Sequence, residues 1–102
     1  MKYEVRASRT IYGEEGYEVF NKQMESLDDW VYQPYLLGLE PDEDGDIVLP
    51  FIDYLNDKYT SVVFERHSLI DLERKQFTGK SVIKIKFLNF NDAQDYAQAL
   101  SS

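Results

Sequence analysis

Between Glu40 and Asp46, in the stretch EPDEDGDIVLP, five carboxylates occupy seven positions and close around Gly45. Carboxylates at that density can coordinate a hard cation or present negative charge to a cationic surface. Coordination demands a register. With Gly45 at position 6 of a calcium loop, Glu40, Asp42 and Asp44 fall at positions 1, 3 and 5, and Ile47 at 8. Position 12 is then Phe51, where a bidentate glutamate would have to close the cage. Pro41 and Pro50 also fall inside the loop. No metal site is expected here, and the stretch reads as a solvated acidic turn able to steer a basic partner.

Other residue patterns fail on similar grounds. TGKS at 78–81 copies the tail of a phosphate-binding loop, but Arg74 stands where the leading glycine belongs, and a strand follows rather than a helix. GEEG at 13–16 has the spacing of a loop that clamps a nucleic-acid backbone, with two glutamates that would repel it. His67 has Glu65, Ser68 and Asp71 near it in sequence, yet adjacent Ser68 cannot face it on a strand. One histidine and no cysteine leave zinc without ligands. Neither catalysis nor a cofactor is expected.

Charge and aromatic content point elsewhere. The net charge of −8 disfavours direct contact with nucleic acid. From Thr10 to Asp57 there is one basic residue against thirteen acids, whereas the remaining residues carry ten basic side chains against six acidic ones. Nine of the fifteen aromatics fall between Tyr12 and Tyr59, all but Tyr59 within that same acidic span. DDWVYQPY, at 28–35, puts three of them in a proline-broken polar connector, poor material for a core but good material for anchoring a partner. The candidate partner-binding residues are therefore Asp28, Asp29, Trp30, Tyr32 and Tyr35 as anchors, with Glu40, Asp42, Glu43, Asp44 and Asp46 for steering.

These residues must be positioned by a single domain, since 102 residues make one at most. Alternating Tyr3, Val5 and Ala7 predict a first strand. Tyr17, Phe20, Met24 and Leu27, three and four apart, predict a helix over 14–26. DIVLPFIDYL reads as a strand that Pro50 confines to an edge or a bulge, and YTSVVFERH as a further strand after a turn at Asn56–Asp57. SLIDLERKQF fits either a short helix or a hairpin continuation, and Thr78–Gly79–Lys80 a turn. In SVIKIKF, Ile83, Ile85 and Phe87 would face the core, with Lys84 and Lys86 on a wet, basic face. Ala93, Tyr96, Ala97 and Leu100 then stripe a final helix capped by Asn91.

The C-terminal IKIKFLNFNDAQDYAQAL is similar to the third-strand-to-second-helix passage of ferredoxin-like sheets, RNA-binding RRM domains included. The resemblance covers under a fifth of the chain. It implies an α+β fold and not RNA binding, because SVIKIKF has Lys and Ile where the RRM strand has Gly and aromatics. The expected architecture is α+β, a mostly antiparallel sheet of about four strands with two helices packed on one face.

The lack of cysteine, of an apolar leader at the N-terminus and of any long apolar run predicts a soluble cytoplasmic protein. The expected function is that of a small inhibitor or immunity-type protein. It would show a nucleic-acid-mimicking acidic face to a basic partner, possible targets being nucleic-acid-handling enzymes, as anti-restriction, anti-CRISPR and antitoxin-like proteins do. The alternative is a structural or regulatory subunit that self-associates, for instance as a homodimer, or docks through a sheet edge.

Overall fold

The structure, a computed structural model, describes residues 3–23 and 31–101, the side chains at 69, 77, 80 and 81 excepted. Its elements are β1 (Tyr3–Ala7), β2 (Tyr17–Asn21), the single turn α1 (Gln33–Leu36), α2 (Val48–Lys58), β3 (Val62–Asp71), β4 (Gln76–Phe87) and α3 (Phe90–Ser101). Among the described residues the strands form one sheet in the order β1-β2-β4-β3, with every neighbouring pair antiparallel. The α+β class expected from the sequence is the one observed. The element order, two strands before the first helix, differs from the βαββαβ order of ferredoxin-like folds.

One face of the sheet is apolar. Tyr3, Val19, Ile85 and Phe87 pack there against Phe51 and Leu55 of α2 and Ala93, Tyr96, Ala97 and Leu100 of α3. The rings of Tyr59, Phe87 and Tyr96 meet mostly edge-on, 5.3 to 6.0 Å apart. Burying each such side chain is worth about 1.5–3 kcal/mol, which makes this cluster the main source of stability. Tyr59 ties the helices together, its hydroxyl donating to Asp95 at 2.7 Å. Burial and then the Asp95 carboxylate push that hydroxyl's pKa well above the usual tyrosine value.

Two predicted elements exchange identity. The stretch expected as a helix over 14–26 contains β2, while the expected strand DIVLPFIDYL is mostly α2. In β2, Tyr17 and Val19 alternate with Glu18, so the same residues satisfy a period of two as well as a period near four. Cross-strand pairing with Tyr3–Ala7 decides between them. Pro50 is the third residue of α2, in the first turn, where a backbone N–H has no helical acceptor to lose. Asn56 and Asp57 belong to its last turn rather than to a reverse turn.

Further corrections concern β3 and β4. SLIDLERKQF continues the hairpin, and the chain reverses at 72–75 rather than at Thr78–Gly79–Lys80, which lies inside β4. Gly79 sits by a register shift opposite Ser68–Ile70. The α3 cap is Asn89, not Asn91, because the Asn89 Oδ1 accepts the N–H groups of Asn91 at 2.7 Å and Asp92 at 3.4 Å. The basic face predicted at Lys84 and Lys86 is only partly wet, since Lys86 is buried.

Candidate functional site

The acidic turn organises itself through one of its own carboxylates. Asp42 Oδ1 accepts the backbone N–H groups of Asp44 and Asp46, both at 2.9 Å. The Asp42 N–H in turn donates to the Asp46 carbonyl at 2.9 Å, and Gly45 N–H to the Asp42 carbonyl at 3.0 Å. Gly45 adopts φ +79°, the left-handed conformation that glycine takes without a Cβ clash. Asp46 Oδ1 accepts the N–H of Val48 at 2.9 Å and so opens α2. Asp42 and Asp46 thus hold the turn, while Glu40, Glu43 and Asp44 stand in solvent. No group of three or more such side chains converges on a cation position among the described residues.

The connector before the turn is anchored at Gln33, Pro34, Leu37 and Leu39 and exposes Val31, Tyr32, Tyr35 and Leu36. Gln33 and Pro34 are buried, and Gln33 Oε1 accepts the Tyr96 hydroxyl at 2.6 Å. Leu39 N–H returns to the Pro34 carbonyl at 3.0 Å, and Leu37 and Leu39 pack on the core. That pinning leaves Tyr32 54% and Tyr35 55% exposed, with Val31 and Leu36 exposed as well. Tyr32, Tyr35 and the acids Glu40, Glu43 and Asp44 are thus all exposed, within one stretch of the chain. Asp28, Asp29 and Trp30 lie outside the described residues.

On the other face of the sheet lies a polar cluster that the sequence reading missed. Glu65 and Lys86 are 2% and 5% exposed and form an ion pair of 2.9 Å. Glu65 also accepts the Ile11 N–H at 2.7 Å, and His67 Nε2 at 3.1 Å. Lys86 also donates to the Arg9 carbonyl at 2.6 Å. Burial alone would raise the Glu65 carboxyl's pKa. The hydrogen bonds from Lys86, Ile11 and His67, together with the charge of Lys86, reverse that and hold it at about 2.

The consequence is a clamped loop. Residues 8–16, between β1 and β2, are fastened to β3 and β4 at Arg9 and Ile11. Ser8 N–H closes the base on the Gly16 carbonyl at 2.9 Å. A Cβ on Gly16 would sit 2.9 Å from the Ser8 carbonyl oxygen, which accounts for glycine there. The tip holds Tyr12, 83% exposed, with Glu14 and Glu15 beside it in solvent. A groove of about 340 Å³ runs along the base, lined by Ala7, Ser8, Arg9, Glu15, Gly16 and Tyr17.

Glu14 and Glu15 belong to the loop, and Glu18 lies in β2, 3.5 Å from Arg6. No protein-family model matches the chain, and no similar curated protein or solved structure is found. The surface chemistry alone therefore bears on function. Nothing in the sequence marks Glu65, which stands beside Arg66, or Lys86, two residues after Lys84; the strand pairing, with Glu65 opposite Lys84 and Lys86 opposite Val63, is what brings the two together on a diagonal.

Proposed function

We propose that the protein is a small binding module that inhibits or neutralises a basic, nucleic-acid-handling partner, acting by occlusion rather than catalysis. Its acidic turn stands in for phosphate, in the manner of anti-restriction, anti-CRISPR and antitoxin-like proteins, and its setting is the cytoplasm. The observation that carries this reading is the stretch 31–46. It exposes Val31, Tyr32, Tyr35 and Leu36 immediately before an exposed run of carboxylates. A domain this small has use for every large apolar side chain inside. Keeping four outside, with their backbone pinned by Gln33 and Pro34, favours an anchor for another molecule. The neighbouring acids add long-range attraction for a cationic surface. No helix among the described residues is long and apolar enough to cross a membrane.

The test is capture from native lysate on the immobilised protein, at about 0.1 M and about 0.5 M salt, which shortens the Debye length from about 10 Å to under half of that. A basic protein retained at the lower concentration and released at the higher is the expected result. Its capture should fail for Glu40→Gln/Glu43→Gln/Asp44→Asn and for Tyr32→Ser/Tyr35→Ser. These variants leave Asp42 and Asp46, and hence the turn, intact. A partner held equally by the wild type and both variants would overturn the reading.

A further inference from the structure

The 8–16 loop closes over the sheet through polar contacts. None of its residues is in the core cluster or among the partly buried hydrophobics packed against it. Ile11, like Tyr12, is exposed, and Thr10 and Gly16 are the loop's buried residues. Thr10 is engaged inside the loop: its hydroxyl accepts the Glu14 N–H at 3.1 Å, and its N–H donates to the Glu14 carbonyl at 3.0 Å. Arg9 also turns inward, its Nη1 donating to the Gly13 carbonyl at 2.7 Å.

The described hydrogen bonds that fasten the loop to β3 and β4 are two, and both end on loop backbone. Ile11 N–H donates to Glu65 Oε2, and Lys86 Nζ donates to the Arg9 carbonyl. Opening would exchange these two bonds for bonds to water and hydrate a buried ion pair, while exposing little new apolar surface. An opening that breaks few buried apolar contacts needs far less free energy than unfolding. The base of the loop is small on both sides, with Ala7 and Ser8 facing Gly16, and the Ser8 N–H on the Gly16 carbonyl ties the two together.

We propose that residues 9–15 form a strap that swings off the β3–β4 face as one body, hinged at Ser8 and Gly16, while the sheet and helices stay folded. The bonds inside the strap, between Thr10 and Gly13, Thr10 and Glu14, and Arg9 and Gly13, hold its shape in both positions. Closed, the strap buries Glu65 and Lys86 and fixes the tip that carries Tyr12, Glu14 and Glu15. Open, it gives the pair, with His67 beside it, to solvent and carries the tip away. The ion pair acts as the latch. Its two charges satisfy each other when covered and are hydrated when uncovered, so neither position strands one of them. A latch of apolar side chains would leave those side chains in water on opening. The strap lies apart from residues 31–46, which pack on the helices through Gln33, Leu37 and Leu39, so it does not rest on the proposed function.

Amide hydrogen exchange of the wild type in rising, sub-denaturing urea tests it, read at Ile11 and at Ala97 and Leu100 of α3. Ile11 should be protected on the order of a thousand-fold, the effect of two hydrogen bonds to charged groups. That protection should hardly change with urea, because the opening exposes little surface. Ala97 and Leu100 should be protected at least about ten times more strongly and should lose protection steeply with urea. Glu65→Leu/Lys86→Met removes the latch and should abolish protection at Ile11 while Ala97 and Leu100 stay protected. Gly16→Ala leaves the latch but spreads the hinge, since its Cβ would meet the Ser8 carbonyl oxygen at 2.9 Å. It should cut Ile11 protection about tenfold. An Ile11 amide with the urea dependence of Ala97 and Leu100 would mean that the loop opens only when the domain unfolds. An unprotected Ile11 in the wild type would mean that no closed state is held. Either result overturns the proposal, as does undiminished Ile11 protection in both variants.

Discussion

The molecule uses carboxylates in two opposed ways, and the acidic turn and Glu65 show the contrast. In the turn, Asp42 accepts two backbone N–H groups and Asp46 a third, so that Glu40, Glu43 and Asp44 stay hydrated. At Glu65 the carboxylate is buried and fully engaged by Lys86, Ile11 and His67. A hydrated carboxylate contributes little to stability but remains available to an incoming cation. A buried one must be satisfied from within the fold and is then unavailable to anything outside. Region by region, the first kind stays open to solvent and the second holds the 8–16 loop.

The largest effect that would break this comparison is expected at the buried pair. Lys86→Met leaves the Glu65 carboxylate without its cation and should cost about 3–5 kcal/mol in urea unfolding. Glu65→Leu/Lys86→Met, which removes both charges, should cost less than the single change. Equal losses for the single and double variants would mean that the ion pair is not what holds the loop.

Acid should act on the same group. The Glu65 pKa is depressed in the folded state, from an ordinary 4.5 to about 2. Its contribution is therefore present above about 4.5 and is lost as the pH falls toward 2. The stability difference between wild type and Glu65→Gln should shrink across that window, by an amount on the order of 3 kcal/mol. A difference that stays constant with pH would contradict the geometry at Glu65.

The smallest effects belong to the turn and sharpen the comparison from the other side. Asp42→Ala removes the acceptor of two backbone N–H groups and should cost about 1 kcal/mol. Glu43→Gln should change stability by no more than about 0.5 kcal/mol. If Glu43→Gln proved as costly as Asp42→Ala, the division of the turn into structural and presented acids would be wrong.

How much of this was legible in the residues differs by element. The stripe Ala93, Tyr96, Ala97, Leu100 admits one period and gives α3, with all four side chains buried as expected. Tyr17 to Asn21 and Val48 to Lys58 admit two periods each. For short apolar runs the local signal cannot separate a strand from a helix, and long-range pairing supplies the difference. Tyr32 and Tyr35 were recognisable as exposed because Pro34 and the flanking acids spoil their stretch as core. Leu72 carried no such mark, since its exposure follows from where the hairpin reverses.

By itself the sequence determined the α+β class, the concentration of acids between Glu40 and Asp46, and the exposed tyrosines ahead of them, all properties set by neighbours within a few positions. Only the tertiary structure decided that Glu65 and Lys86 would be a buried pair, 21 positions apart in the chain, and that Lys86 would reach the Arg9 carbonyl 77 positions away. Whether a charged side chain is hydrated or buried depends on what covers it. Here the cover is a loop from the other end of the chain.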